Sequence, residues 1–473
     1  MTISSCMTRR SRFVGLLLAL LLVSCNRPRP ADFISIKQPV IALTHVRVID
    51  GTGGPARDDQ TVIIDSGRIA AIGPASETSI PTSASSRDLS GHTAIPGLVG
   101  MHDHLFYTTD AGDRDVLAGE SFAPLYLAAG VTTIRTAGAL SLPGDQAVKR
   151  SVDANELPGP KIYLTSPYIN HRAGEALDTE TIANRVNEWS DQGVTSFKVY
   201  ENLTRAELRV VIDAAHKRGL KVTGHLCAIG LLEAARAGID NLEHGLAVDT
   251  EFFSRKKPDE CPARSEWLPE LARLDVMSGP VQGLIRELVN RGVAITSTLA
   301  IFESFVFEKF QLDPRMEKVL SVNAYSHCVS ELAERKKDPR WSRVWEDVLK
   351  KEMQFEREFV KAGGLLMQGV DPTGWGGVVA GFGDQRGVEL LVAAGFSPEE
   401  AIRIATLNGA MFLGEANRIG TLAAGKEADI VIVRGNPSAN IADIRNVQLV
   451  FKDGVGYDPA KLIESVRGLV GVK

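Results

Sequence analysis

Between Thr93 and Asp371 the chain alternates short strand-like runs with amphipathic helical ones, and no other feature restricts its fold as tightly. The runs are "TAIPGLVGMHDH", "VTTIRTAG" (131–138), "KIYLTSP" (161–167), "VTSFKVY" (194–200), "KVTGHL" (221–226), "NLEHG" (241–245), "VAITSTL" (293–299) and "GLLMQGVD" (364–371). Helical stretches such as "TRAELRVVIDAAHKRG" and "GLLEAARAG" lie between several of them. Strands joined by a crossover of helical length pair in parallel, and eight such units are the number that closes a barrel. The expected fold is therefore α/β, a (β/α)8 TIM barrel over residues 96–416.

The chain's two ends read differently. From Ile41, "IALTHVRVID", "TVIID" and "IAAIG" are β-rich runs broken by Gly, Pro and Asp turns, and "ADIVIVRG" and "VQLVFKDGVGY" repeat the pattern near the C-terminus. Residues 40–95 and 417–458 are thus expected to form one small composite β-sandwich. From His244 to Asp371 is 127 positions, whereas two barrel units of about 31 residues need only about 62. The surplus predicts a helical insertion around 250–362, projecting over the barrel mouth with a largely solvated charged face.

The N-terminus carries an address. Arg9, Arg10 and Arg12 precede "FVGLLLALLLV", eleven mostly apolar residues that would span about 17 Å as a helix, short of a hydrocarbon layer of roughly 30 Å. That pattern predicts a signal peptide over 1–24. Its ending, "LVSC", resembles the lipobox of bacterial lipoproteins, which would make Cys25 a lipidated membrane tether and 25–39 a lipid-bearing spacer. The implied location is the bacterial cell envelope, facing periplasm or exterior. Loss of 1–24 removes three arginines and no acid, lowering the formal charge from −5 to −8, which argues against nucleic acid as a partner. Composition, 44% hydrophobic and 23% charged, is that of an ordinary globular protein. Of the remaining cysteines, Cys261 and Cys328 could pair or stay as free buried thiols, while Cys227 reads as a core residue.

In a barrel, side chains at the C-terminal strand ends converge on one mouth. His102 and His104 end the first run, Lys198 lies near the end of the fourth, His225 ends the fifth, His244 the sixth and Asp371 the eighth. Any one histidine is an ordinary structural residue; six such groups at successive strand ends make a metal-binding pattern. His102 to Lys198 is 96 positions over three units, a spacing that fits the barrel independently of residue identity.

The segments "PGLVGMHDH", "FKVYENLTRAEL", "GHL", "NLEHG", "GVDPTG" and "ATLNGAMFLGEANRIGTLAAGKEADIVIVRGNP" resemble the amidohydrolase superfamily, and within it the group similar to imidazolonepropionase and to Xaa-Pro and Xaa-Arg dipeptidases. The resemblance covers most of 40–457. It implies two divalent metals, zinc the first expectation: His102, His104 and Asp371 on one, His225 and His244 on the other. Lys198 would bridge them as a carbamate formed with carbon dioxide, because a protonated lysine would repel both cations. A metal-bridging hydroxide would attack an amide carbonyl, with Asp371 passing the proton to the leaving nitrogen. Tyr200 faces the same way as Lys198 along the strand and either donates to the oxyanion or packs the interior. His171 and Arg172, after the third run, either meet the substrate or make loop hydrogen bonds. Thr136 stands where related sequences often carry an aspartate, which weakens any transfer of family detail to that loop and leaves the metal ligands untouched.

The expected activity is hydrolysis of a carbon–nitrogen bond in small peptides. Cyclic amides, lactones, esters, a catalytically lapsed binding protein and a structural envelope lipoprotein stay open, as does assembly into dimers or larger rings.

Overall fold

The computed structural model describes residues 30–109, 114–172, 175 and 177–472. The expected signal peptide and Cys25 lie outside the described residues. All eight expected strands are present and pair in parallel, in two arcs. The first arc orders Lys161–Tyr163, Val131–Thr136 and Leu98–Asp103. The second runs Thr165–Ile169, Ser196–Val199, Lys221–Gly224, Asn241–Glu243, Ala294–Ser297 and Leu366–Gln368.

The arcs meet at both edges. The third run breaks at Leu164 into two strands, one in each arc, and the Thr136 hydroxyl accepts the Thr165 N–H at 2.8 Å across the break. At the other edge the Asp371 N–H donates to the His102 carbonyl at 2.8 Å. Gly369 permits that approach, because a Cβ there would collide with the backbone nitrogen and Cβ of His102.

Helices cover the strands in the order the periodicity predicts. In Arg205–Lys217, Leu208, Val211, Ile212 and Ala215 are buried at helical spacing. Thr204 opens this helix with a capping box, its N–H donating to Glu207 Oε2 at 2.7 Å, an arrangement worth about 1 kcal/mol. Between the sixth and eighth strands the surplus forms Arg264–Leu271, Leu299–Ser304, Val322–Arg335 and the long Pro339–Lys361. Its charged outer face is solvated, yet Trp345, Val348, Phe355 and Phe359 of the long helix are buried.

The β unit built from both chain ends is one hydrogen-bonded sheet of nine strands rather than two separate sheets. The physical reason lies in Val40–Val48, which changes partner along its length. Residues 41–44 pair with 85–88 and residues 47–48 with 93–94, and His45 adopts φ 56° between them. The sheet encloses its own apolar core around Leu43, Val62, Ile430 and Phe451. The spacer expected over 25–39 is folded from Pro30 on: Phe33 is buried and Ile34–Ile36 adds an edge strand against Val455–Tyr457. Apolar residues at 33, 34 and 36 explain why this stretch packs rather than floats. Among the described residues no helix is long and apolar enough to cross a membrane.

Candidate metal centre and active site

His102 is the next-to-last residue of the first strand and His104 follows it by two, so both side chains leave the same face at the strand's C-terminal end. His102 Nδ1 lies 2.8 Å from Glu243 Oε2, and His104 Nδ1 lies 3.2 Å from the Gly138 carbonyl. Each contact turns Nε2 of its ring toward Asp371 Oδ1, at 3.7 Å from His102 and 3.4 Å from His104.

His244 and Asp371 reach the same point by another route. Both adopt left-handed backbone, φ 69° and 49°, which is uncommon outside glycine and redirects each side chain after its strand. His244 Nδ1 contacts Thr298 Oγ1 at 2.7 Å, leaving Nε2 3.9 Å from Asp371 Oδ2, beyond hydrogen-bond range. The Thr373 hydroxyl donates to Asp371 Oδ1 at 2.7 Å. Ligand atoms of His102, His244 and Asp371 lie within 4.8 Å of one another, a trio that crosses the expected division of ligands between two ions. The His225 ring sits 4.5 Å from that of His244, centroid to centroid. His102, His104, Lys198, Tyr200, His225, His244 and Asp371 all line one cavity of about 770 Å³.

The electrostatics suit cation binding. Burial, then the charge of Lys198, lowers His102 to about 4 and His225 to about 3, and burial holds His244 well below its ordinary value. The rings are therefore neutral near pH 7, with lone pairs to give. Burial alone would raise the Asp371 carboxyl, but the ring nitrogens of His102, His104 and His244 around it hold it well below the ordinary carboxylate value. Burial lowers Lys198 to about 8. Lys198 Nζ and His244 Nε2 are fully buried and have no hydrogen-bond partner among the described residues. Two orphaned nitrogens among neutral imidazoles and a carboxylate fit divalent cations, since a buried polar atom without a partner is otherwise costly.

Other expectations change. His171 and Arg172 do not line the cavity. His171 is turned toward the start of the Arg205–Lys217 helix, its Nε2 3.1 Å from Glu207 Oε2, and Arg172 is exposed; Asn170 faces the cavity instead. Tyr200 does line it, packed 4.8 Å from the His225 ring, and burial raises its hydroxyl so that it stays protonated. Cys261 pairs with Cys227, not Cys328. Cys227 sits two residues beyond His225 and Cys261 on the insertion, and both border the cavity, with Cα atoms 5.0 Å apart. Cys328 is buried beside the Gly376 carbonyl and is a free thiol.

Glu243 was not among the expected site residues. Fully buried, it accepts from Arg135 Nη2 at 2.6 Å and Asn241 Nδ2 at 3.0 Å, is bonded by the Thr223 hydroxyl, and orients His102. Its one signal was an acid inside a strand of otherwise uncharged residues.

The sequence profile of the amidohydrolase family matches residues 93–257 and 286–455. The chain belongs to the amidohydrolase family. This amidohydrolase is 26% identical to an adenine deaminase of Chelativorans sp. (strain BNC1) over 246 residues, 49% of the chain and 38% of that relative. It is 33% identical to an imidazolonepropionase of Syntrophobacter fumaroxidans (strain DSM 10017 / MPOB) over 78 residues, 16% of the chain and 18% of that relative. The chain thus spans well under two thirds of the curated relatives it matches. Among solved structures it resembles a Xaa-Pro dipeptidase with bound methionine in the active site, at 20% identity and TM-score 0.65 over 89% of the chain and all of the other. It also resembles a bottromycin amidohydrolase, at 18% identity and TM-score 0.65 over 90% and 88%. At these identities the likeness is one of fold.

Proposed function

We propose that this amidohydrolase is a metal-dependent hydrolase of carbon–nitrogen bonds, acting on amides in small peptides from a (β/α)8 barrel. One observation carries the reading: six metal-competent side chains from five strand ends meet in one cavity, two of them with buried nitrogens that find no partner among the described residues. His102, His104, His225, His244 and Asp371 would hold two divalent ions, zinc first, with Lys198 as the carbamylated bridge. A lysine near pKa 8 presents some neutral amine at neutral pH, the form that adds carbon dioxide. When bound, the ions supply Lewis-acid activation of water and of the scissile carbonyl.

The protein's own groups do the rest. Asp371 Oδ1 is held by Thr373, which leaves Oδ2 to take a proton from the attacking water and return it to the leaving nitrogen. An amine leaves poorly as an anion, so this transfer matters most at bond cleavage. The Tyr200 hydroxyl, protonated at the cavity wall, can donate to the developing oxyanion. Tyr126 binds the His104 backbone in both directions, its hydroxyl donating to the carbonyl at 3.0 Å and accepting the N–H at 3.2 Å, which fixes that ligand's position.

We also propose export and anchoring through Cys25. The Cys227–Cys261 bridge supports an oxidising compartment, where such bonds persist.

The test is a panel of dipeptides and N-acyl amino acids offered to zinc-loaded protein, with cyclic amides, lactones, esters and adenine alongside. Amide hydrolysis that Lys198→Ala abolishes supports the proposal. Turnover of adenine alone would make the chain a deaminase, and full activity in Lys198→Ala would remove the bridge.

A further inference from the structure

Away from the metal-competent cluster the cavity has two unlike walls. One is polar and includes Asp115, Asn170, Tyr168 and Tyr200. The other, beside His244, consists of Phe302, Phe305 and Trp345, flanked by Ile301 and Trp267. All five belong to the stretch between the sixth and eighth strands, which carries the residues surplus to a plain barrel.

The three aromatic rings form a ladder that begins at the candidate ligand. Phe302 lies 5.7 Å from the His244 ring, Trp345 stacks on Phe302 at 5.7 Å and 19°, and Phe305 stacks on Trp345 at 4.9 Å and 26°. This wall is docked in place. Trp345 rides on Pro339–Lys361, and two turns along that helix Glu352 Oε2 accepts the Ala247 N–H at 2.7 Å, three residues beyond His244. Near the helix start Ser342 Oγ accepts the Glu308 N–H at 3.0 Å, tying the Phe305 segment to the same helix.

Stacked aromatic surface facing a water-filled cavity gains free energy when an apolar group covers it, most of all a flat one. A cationic chain is the weaker match. The cavity's acids Asp115, Glu201 and Asp371 do not belong to this wall, and Arg264, on the insertion beside Trp267, would repel a cation.

We propose that Phe302, Phe305 and Trp345 form a specificity wall for a large apolar group, best an aromatic ring, carried by the substrate on one side of the scissile amide. The inference rests on the amide-hydrolase reading for its substrate, whereas its binding half can be tested without turnover. Calorimetric titration with propionate, 3-phenylpropionate and 4-guanidinobutyrate compares probes that share a carboxylate and contain no amide. The wall predicts 3-phenylpropionate bound at least about tenfold tighter than either other probe, with most of that advantage lost in Phe305→Ala and in Trp345→Leu. Phe305 is only half-buried, so its variant tests the wall even if the Trp345 variant folds poorly. Equal affinities, a preference for the guanidinium probe, or an aromatic preference that survives both substitutions would overturn the proposal. Dipeptide hydrolysis is assayed in parallel, with phenylalanine or alanine on either side of glycine. Aromatic binding without any hydrolysis would defeat the amide-hydrolase reading and leave the wall standing; hydrolysis indifferent to phenylalanine would do the reverse.

Discussion

Glu243 touches no candidate ion position, yet it decides which nitrogen of His102 faces Asp371. A carboxylate on the far nitrogen of a ligating imidazole fixes its tautomer and raises its basicity, and losing one typically costs about 10–100-fold in metal affinity or activity. Glu243→Gln should therefore weaken metal binding by about that factor in chelator competition, with the fold intact by circular dichroism; unchanged affinity would show that His102 needs no such support. The contrast with His102 itself shows what the sequence could disclose. Strand-end position made the histidines, Lys198 and Asp371 legible. Glu243 was hidden because strict alternation sends residues 243 and 244 to opposite faces, and only the left-handed turn at His244 lets both point inward. His171 failed for the opposite reason: its loop position looked suitable, but the capping carboxylate of Glu207 holds its ring elsewhere.

At the scale of elements, the first and eighth strands meet so closely that Gly369 faces the His102 backbone. Gly369→Ala must push them apart, at a cost of about 1–3 kcal/mol, and should move His102 from Asp371. A lower Tm together with reduced metal affinity is expected; an unaltered Tm would mean the edge yields freely. The long insertion helix offers a second test. Glu352 and Glu356 are buried one turn apart, and burial pushes Glu356 up to about 8 from 4.5. A raised folded-state pKa contributes stability that is complete below about pH 4.5 and lost as pH rises through about 8. Glu356→Gln abolishes that loss, so its Tm advantage over the native protein should be greater near pH 9 than near pH 5, by about 2 °C or more in thermal melts. An equal difference at both pH values would mean Glu356 titrates normally. Periodicity revealed the helix and the surplus length. It could not reveal that Trp345 and these acids face inward, because a charged helix reads the same whichever narrow stripe is buried.

For the whole molecule, the Cys227–Cys261 bridge ties the loop after the fifth strand to the insertion across the cavity rim. A chain beginning at Pro30 should release one thiol when denatured without reductant and three with it. Reduction should also lower stability by about 2–4 kcal/mol, read as a fall in Tm. Three thiols in protein from an oxidising compartment would contradict the pairing. Which cysteines pair was not legible, because the two partners become neighbours only after the insertion folds back over the rim. The parallel strands, their helices and the sheet shared by both chain ends were legible because each follows from local pattern; the forked strand that merges that sheet into one was not.

Four imidazoles, a lysine and an aspartate are proposed to act together on cations, and direct metal analysis tests this most simply. Protein expressed with zinc and bicarbonate, then gel-filtered, should carry about two divalent ions per chain, and Lys198→Ala about one or fewer. Native protein that emerges metal-free, or a Lys198→Ala variant that keeps both ions, would contradict it.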